Sequence, residues 1–166
     1  MAGLRRPVFP LAVVLLSVCA PAAEAPLVPY TVCEILHDAA MYEGKAMAVL
    51  GRYSYRQDGR WLSEQACQDA SALPPVIWLT EDTKDGPKPP DNFELDGVVL
   101  GRKLTDLRKR TALGKFRFGS SDYDRWAVVY GRLESRKGDA AKKAPAGLVF
   151  RGDGVVIFLT PDSSSQ

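Results

Sequence analysis

Two long apolar segments, each with a glycine inside it, limit the folds open to this chain more than any other feature. Ala46 to Arg56 reads Ala-Met-Ala-Val-Leu-Gly-Arg-Tyr-Ser-Tyr-Arg, and Asp124 to Ser135 reads Asp-Arg-Trp-Ala-Val-Val-Tyr-Gly-Arg-Leu-Glu-Ser. Both are rich in the β-branched and aromatic residues that suit a pleated surface. They also form a weak internal repeat, Ala48-Val49-Leu50-Gly51-Arg52 against Val128-Val129-Tyr130-Gly131-Arg132. A glycine inside a strand costs stability unless the strand bends, bulges or is closely approached there. Two long strands that curl at their glycines are what a small closed barrel requires.

The remaining pattern supplies the barrel's other parts. Residues 23–30 are Pro- and Ala-rich and read as an extended lead-in. Thr31 with Glu34 three residues later makes a capping box, and Val32, Ile35, Leu36 and Ala39 form an apolar stripe at helical spacing, a helix that Gly44 ends. Gln57-Asp58-Gly59-Arg60 reads as a hairpin turn with Asp-Gly at its centre. Trp61-Leu62-Ser63 starts the return strand, and Val76 to Thr80 is a third strand. Glu81 to Asn92, with Gly86, Pro87, Pro89 and Pro90, is a loop. Phe93 to Arg110 has two readings. Leu100, Leu104 and Leu107 fit a helix, which is the favoured one, while Val98-Val99-Leu100 also fits the start of a strand. Arg136 to Pro145 is a basic loop. Gly147 to Phe150 and Val155 to Thr160, split by Arg151-Gly152-Asp153-Gly154, form one bent strand or a last hairpin. The domain is expected over 31–160, with a frayed tail at 161–166.

The first residues are expected to be a targeting segment. Arg5 and Arg6 precede a short apolar run from Val8 to Ala20 and a small-residue stretch, the order of a secretory signal, here residues 1–22 with a cut after Ala22. The alternative is a lipoprotein anchored at Cys19, although Val18 departs from the small residue that pattern places before its cysteine. The protein is therefore expected outside the cytoplasm, periplasmic or extracellular. The chain has 22 basic and 20 acidic residues; losing Arg5 and Arg6 with the signal leaves 20 of each, so no net field would draw the protein onto nucleic acid. Cys33 and Cys67 remain as an even pair. In an oxidising compartment that reads as a disulfide, the other reading being two free buried thiols.

The order strand, strand, strand, helix, strand, strand after a capped helix resembles the OB-fold, a five-stranded Greek-key barrel. More closely, Val32-Cys33-Glu34-Ile35-Leu36, Tyr42-Glu43-Gly44-Lys45 and Val49-Leu50-Gly51-Arg52 resemble small exported bacterial OB-fold-like proteins of uncharacterised function. In those, a cysteine-bearing helix leads through a Tyr-x-Gly-Lys turn into the first strand, and a second cysteine follows the next strand, as Cys67 does. The resemblance runs from about Val32 to Thr160 and departs at Arg151 to Gly154. It implies a mainly β barrel with an N-terminal helix and a second helix between strands three and four. A Cys33–Cys67 bridge would then tie the first helix to the barrel, closing a loop worth about 3–4 kcal/mol in the chain-entropy model.

No catalytic pattern stands out. His37 is the single histidine, with no Gly-x-Ser-x-Gly elbow, and no phosphate-cradling loop is present. Cys33 with His37 is weak as a metal pair, and Glu81/Asp82 and Asp122/Asp124 read as solvated loop carboxylates. Neither an enzyme nor a cofactor is expected. OB barrels bind through the face of strands two and three and the adjoining loops, where aromatic platforms flanked by basic residues hold nucleotides. Around the first hairpin stand Tyr53, Tyr55 and Trp61 with Arg52, Arg56 and Arg60, giving Tyr53, Tyr55, Arg56, Arg60 and Trp61 as the candidate ligand site. Strand alternation puts Tyr53 and Tyr55 on one face and Arg52 and Arg56 on the other unless a bulge at Gly51 re-aims them. The plainer reading is packed tyrosines and solvated arginines. Arg102, Lys103, Arg108, Lys109, Arg110, Lys115 and Arg117 form a second basic cluster, suited to an acidic partner or to a helix's wet side. The expected function is an exported binding or interaction module. The alternative is a structural envelope protein that contacts another protein through a barrel edge or the basic helix. Partners are an unspecified ligand or envelope protein. Nucleic acid is not expected, and membrane attachment only if Cys19 is lipidated.

Overall fold

The structure, a computed structural model, describes residues 25–67, 74–91, 93–114, 123–152 and 156–159. The expected signal segment with Cys19, residues Lys115, Arg117, Asp122 and Asp153, and the tail 161–166 lie outside these. In chain order the elements are β1 (Tyr30–Thr31), α1 (Val32–His37), α2 (Ala39–Tyr42), β2 (Ala46–Arg56), β3 (Gly59–Ser63) and β4 (Val76–Glu81). There follow α3 (Gly97–Arg110), β5 (Tyr123–Ser135), α4 (Asp139–Lys143), β6 (Ala146–Phe150) and β7 (Val156–Phe158). No helix among the described residues is long and apolar enough to cross a membrane.

Five strands close a mixed barrel. β2 pairs antiparallel with β3, and β3 with β4. β4 lies parallel to β6, which pairs antiparallel with β5, and β5 returns antiparallel to β2. Counting barrel strands only, the circuit runs first, second, third, fifth, fourth and back to the first, the connectivity of an OB-like Greek-key barrel. The helix between the third and fourth strands is α3, so the helical reading of Phe93 to Arg110 holds from Gly97 onward. Its start is capped by the Asp96 carboxylate, which accepts from the Val98 and Val99 amides. Two short strands extend the wall: β1 lies parallel to β2 at Val49 and Leu50, and β7 antiparallel to β5 at Ala127 to Val129.

The two glycines are sites of close approach, not of bulges. The pairing of β2 with β5 runs without a break from Ala46↔Arg132 to Tyr55↔Tyr123. A Cβ at Gly51 would stand 3.1 Å from Val32 Cγ2, because α1 packs there; one at Gly131 would stand 2.7 Å from both Leu148 Cγ and the Val149 oxygen. Bare backbone at these points lets the wall curve tightly over a filled interior. That interior holds Val49, Leu62, Ile77, Val129, Leu133, Leu148 and Phe150, all fully buried.

Cys33 and Cys67 are joined, with Cα atoms 5.4 Å apart and a sequence separation of 34. The bridge ties α1 to the chain just past β3. Beside it, Glu64 Oε1 accepts from the Cys33 amide at 2.8 Å, and its other oxygen lies 3.0 Å from Arg110 of α3. The capping box of Thr31 and Glu34 forms as expected, with hydrogen bonds in both directions.

Four local expectations change. The leading helix breaks at Asp38, whose φ of −141° is not helical. The break turns α2 so that Tyr42 packs on Tyr30 and the Gly44 amide reaches the Leu133 oxygen at 2.8 Å. The basic loop contains α4, entered through Gly138 at φ 61°. The hairpin apex is Gln57-Asp58, and Gly59 opens β3 at φ 141°. Asp124 lies within β5, not in a loop, and Glu81 ends β4. The two readings of the last region also resolve. β6 and β7 both run along the edge of β5 that faces away from β2, in the same direction, so they are one interrupted line of strand and not a hairpin.

Candidate functional site

Register decides which candidate residues share a surface. Tyr53 and Tyr55 stand opposite Leu62 and Arg60 on β3 and opposite Arg125 and Tyr123 on β5. Directly paired residues project to the same side, so Tyr53, Tyr55, Arg60, Tyr123 and Arg125 belong to the barrel's inner face. Arg56 and Trp61 alternate with them and belong to the outer face. The five candidates therefore divide three and two between opposite sides of one sheet.

The inner group closes one end of the barrel. Tyr55 and Tyr123 stack with centroids 5.5 Å apart and planes 11° from parallel, and Tyr53 adds to the other side of the stack at 6.0 Å from Tyr123. Phe158 of β7 meets Tyr53 edge-on at 5.4 Å. The Arg125 guanidinium lies 5.4 Å from the ring centres of both Tyr123 and Phe158, a cation–π geometry. Tyr53 is only 3 % exposed, whereas Tyr55 and Phe158 at the rim are 38 % and 41 % exposed. Burial, with Tyr53 alongside, holds the Tyr123 phenol above its ordinary pKa. Arg60 reaches over the Phe150 ring at 5.1 Å and pairs with Glu81 at 2.6 Å. Burial would lower its pKa, but Glu81 and Tyr53 together raise it.

The outer group centres on two indoles. Trp61 and Trp78 are register partners across β3 and β4, and their rings stack with centroids 5.7 Å apart and planes 19° from parallel. Trp78 lies flat across the neighbouring strand, since a Cβ at Gly59 would sit 2.3 Å from its Cζ2 atom. Gly59 thus answers two demands, a positive φ and an absent side chain. On Trp78's other flank its strand partner is Gly147, past which Arg136 places its guanidinium 5.1 Å over the indole. Beside Trp61 the hairpin forms a shallow open hollow lined by Arg56, Gln57, Asp58 and Trp61.

Arg56 anchors that hollow, and its own charge is matched within the protein. Its guanidinium donates to the Asp124 carboxylate at 2.7 Å and to the backbone carbonyl oxygens of Tyr55 and Tyr123, each at 2.7 Å. Asp124, with its side chain 3 % exposed, also accepts from the Gly114 amide at 2.8 Å. Burial alone would raise the pKa of this carboxyl; Ser54, Arg56 and Gly114 outweigh it and hold the pKa below its ordinary value. Arg52 is likewise engaged, donating to Ser63 Oγ and the Ala112 oxygen. The side chains of Gln57 and Asp58 have no partner among the described residues.

Elsewhere the charged features are mostly bound internally. Lys103 pairs with Glu34, Lys109 with Asp106 and Arg110 with Glu64, which leaves Arg102 and Arg108 on the exposed side of α3. Asp82 ends β4 with a turn in which its carboxylate accepts from the Lys84 and Asp85 amides. His37 is exposed at the end of α1. Among the described residues no three His, Cys, Asp or Glu side chains group as a metal site would need.

Five residues escaped the sequence reading: Trp78 and Arg136 outside, and Tyr123, Arg125 and Phe158 inside. Alternation in Ile77-Trp78-Leu79 already sets Trp78 against two core residues and could have marked it as outward. Arg136 carries no such signal, because it meets Trp78 only through the parallel pairing of β4 with β6. Compared with protein-family models, curated proteins and solved structures, the chain matches none.

Proposed function

We propose that this chain is an exported binding module, in keeping with the small bacterial barrels it resembles, and that its ligand sits on the outer face of β3 and β4 at the hairpin. One observation carries the reading: Trp61, backed by Trp78, lines an open hollow whose Gln57 and Asp58 side chains have no partner among the described residues. A half-buried indole beside exposed polar side chains offers a ligand both a stacking surface and hydrogen-bonding groups. Its place, on the second and third barrel strands next to the loop that joins the first to the second, is where OB barrels bind. The disulfide fits an oxidising compartment.

The test is a thermal-shift screen of the oxidised protein against oligosaccharides, oligonucleotides and divalent ions, repeated with Trp61→Ala and Tyr55→Ala. A ligand that raises the melting temperature should do so with dose, lose its effect in Trp61→Ala and keep it in Tyr55→Ala. A shift that survives in Trp61→Ala overturns the reading. Silence across the whole screen favours a structural envelope role, for which the short terminal strand β7 and its exposed Phe158 offer an edge to a partner protein.

A further inference from the structure

We infer that the Cys33–Cys67 bridge regulates the hairpin site: in the oxidised protein it keeps Arg56 and the hollow in place, and reduction loosens them. The inference rests on the reading just given, because it concerns the same site. A strap, Arg110 to Gly114, carries the effect. It leaves the end of α3 beside the bridge and crosses the outer face of β2 and β5 toward the hairpin.

At the bridge, Cys33 of α1 and Cys67 past β3 are both half-buried, and Gln65 and Ala66 just before Cys67 are exposed. Two contacts join this segment to the strap. The Gln65 amide donates to Thr111 Oγ1 at 3.0 Å. The Glu64 side chain, 0 % exposed, accepts from the Cys33 amide at 2.8 Å with one oxygen and stands 3.0 Å from Arg110 with the other. Cys33 and Arg110 are therefore tied through one buried side chain. Once the bridge opens, Cys33 is free to draw back from Glu64. A buried polar group stripped of a donor is costly, and turning toward water relieves that cost and releases Arg110.

At the hairpin end, polar contacts hold the strap. Thr111 is buried, but Ala112, Leu113 and Gly114 are exposed. Arg52 donates to the Ala112 oxygen at 3.0 Å, and the Gly114 amide donates to Asp124 Oδ2 at 2.8 Å. The other oxygen of Asp124 binds Arg56, which lines the hollow. One carboxylate is thus shared between strap and site. Exposed segments with few apolar contacts open well below the free energy of global unfolding. Val32 and Ile35 are fully buried, so α1 keeps its seat on the barrel without the bridge. Reduction takes a dithiol. Its thiolate attacks one sulfur to form a mixed disulfide, and its second thiol then displaces the protein. The protein gains two electrons and two protons as the Cys33 and Cys67 thiols, and the reductant leaves as a disulfide.

Amide hydrogen exchange and backbone chemical shifts are read by nuclear magnetic resonance on the full-length protein, oxidised and then reduced with dithiothreitol under native conditions. Glu64→Gln is measured in both states alongside it. Reduction should speed exchange at Gln65 and Gly114 about tenfold, the effect of losing one hydrogen bond. It should also shift Arg56 to Gly59, while Val49 and Val129 on the barrel wall stay protected. Reoxidation should restore the first pattern. Glu64→Gln should speed Gly114 already in the oxidised state and shrink the further effect of reduction, because both changes weaken one link. If reduction frees Gln65 and leaves Gly114 and the hairpin unchanged, the bridge is a local staple and the inference falls. If Val49 and Val129 speed up as much as Gly114, the bridge acts through global stability and the inference falls as well. No ligand enters these measurements. A response at the hairpin in a protein whose ligand ignores Trp61→Ala supports the coupling and overturns the site reading.

Discussion

Tyr53 and Trp61 lie eight residues apart on the two arms of one hairpin, and they face opposite sides of the sheet. On the inner side, Tyr53, Tyr55, Tyr123 and Phe158 pack on one another, with Arg125 spread over two of the rings. On the outer side, Trp61 stacks on Trp78 and lines an open hollow with the exposed Gln57 and Asp58, while Arg136 lies over Trp78. Aromatic content is therefore a poor guide to function in this chain. What separates the two regions is how much of each ring's hydrogen-bonding and stacking capacity the protein itself has used. The inner rings stop the barrel's end, and the outer rings present a surface.

Substitutions should pull stability and binding apart along that divide. The largest effect on stability belongs to Tyr53→Ala, which opens a cavity beneath Phe158 and should cost about 3 kcal/mol in denaturant unfolding while leaving ligand affinity within a factor of two of the parent. An equal loss of affinity would show that the inner cluster takes part in binding. Next comes Gly59→Ala. The added methyl meets Trp78 and must also adopt a positive φ, so it should cost about 2 kcal/mol and change the near-ultraviolet circular dichroism of the indole pair. An unchanged indole signal would mean that Trp78 does not lie across this strand.

Asp124 joins the two regions, because it holds Arg56 at the hairpin and stands beside Tyr123 on β5. Its pKa is lowered on folding, so its contribution is complete above the ordinary aspartate pKa near 4 and is lost as pH falls through the lower folded value. Asp124→Asn should therefore cost about 1.5 kcal/mol near neutrality and progressively less in acid, giving a flatter profile of unfolding free energy against pH. A profile with the same slope as the parent would place the acid sensitivity elsewhere. The smallest effect on stability is expected of Trp61→Ala, about 1 kcal/mol for a half-buried stacked ring, together with the largest loss of ligand.

Much of the scaffold can be read from the residues. Glycines inside two long apolar strands require a curved wall with close neighbours, and Val32, Leu148 and Val149 are those neighbours. Leucines at 100, 104 and 107 with charge between them make a helix, and the parity of Cys33 and Cys67 makes a bridge. The split between tyrosines and arginines on β2 also follows from a period of two. Pairings across distant strands do not follow from any local pattern. Tyr55 meets Tyr123 at a separation of 68 residues, and Trp78 meets Gly147 at 69. Such contacts depend on the register of strands that are joined through a helix or a long loop. The break at Asp38 is set in the same way, by where Leu133 and Tyr30 wait for the chain.

A backbone amide chemical-shift map of the protein bound to a ligand that the thermal-shift screen finds would separate the two regions in one experiment. The largest changes should fall on Arg56 to Trp61, Trp78 and Arg136, with Tyr55, Tyr123, Arg125 and Phe158 nearly still. Largest changes on that second set would contradict the outer site and move the ligand to the end of the barrel.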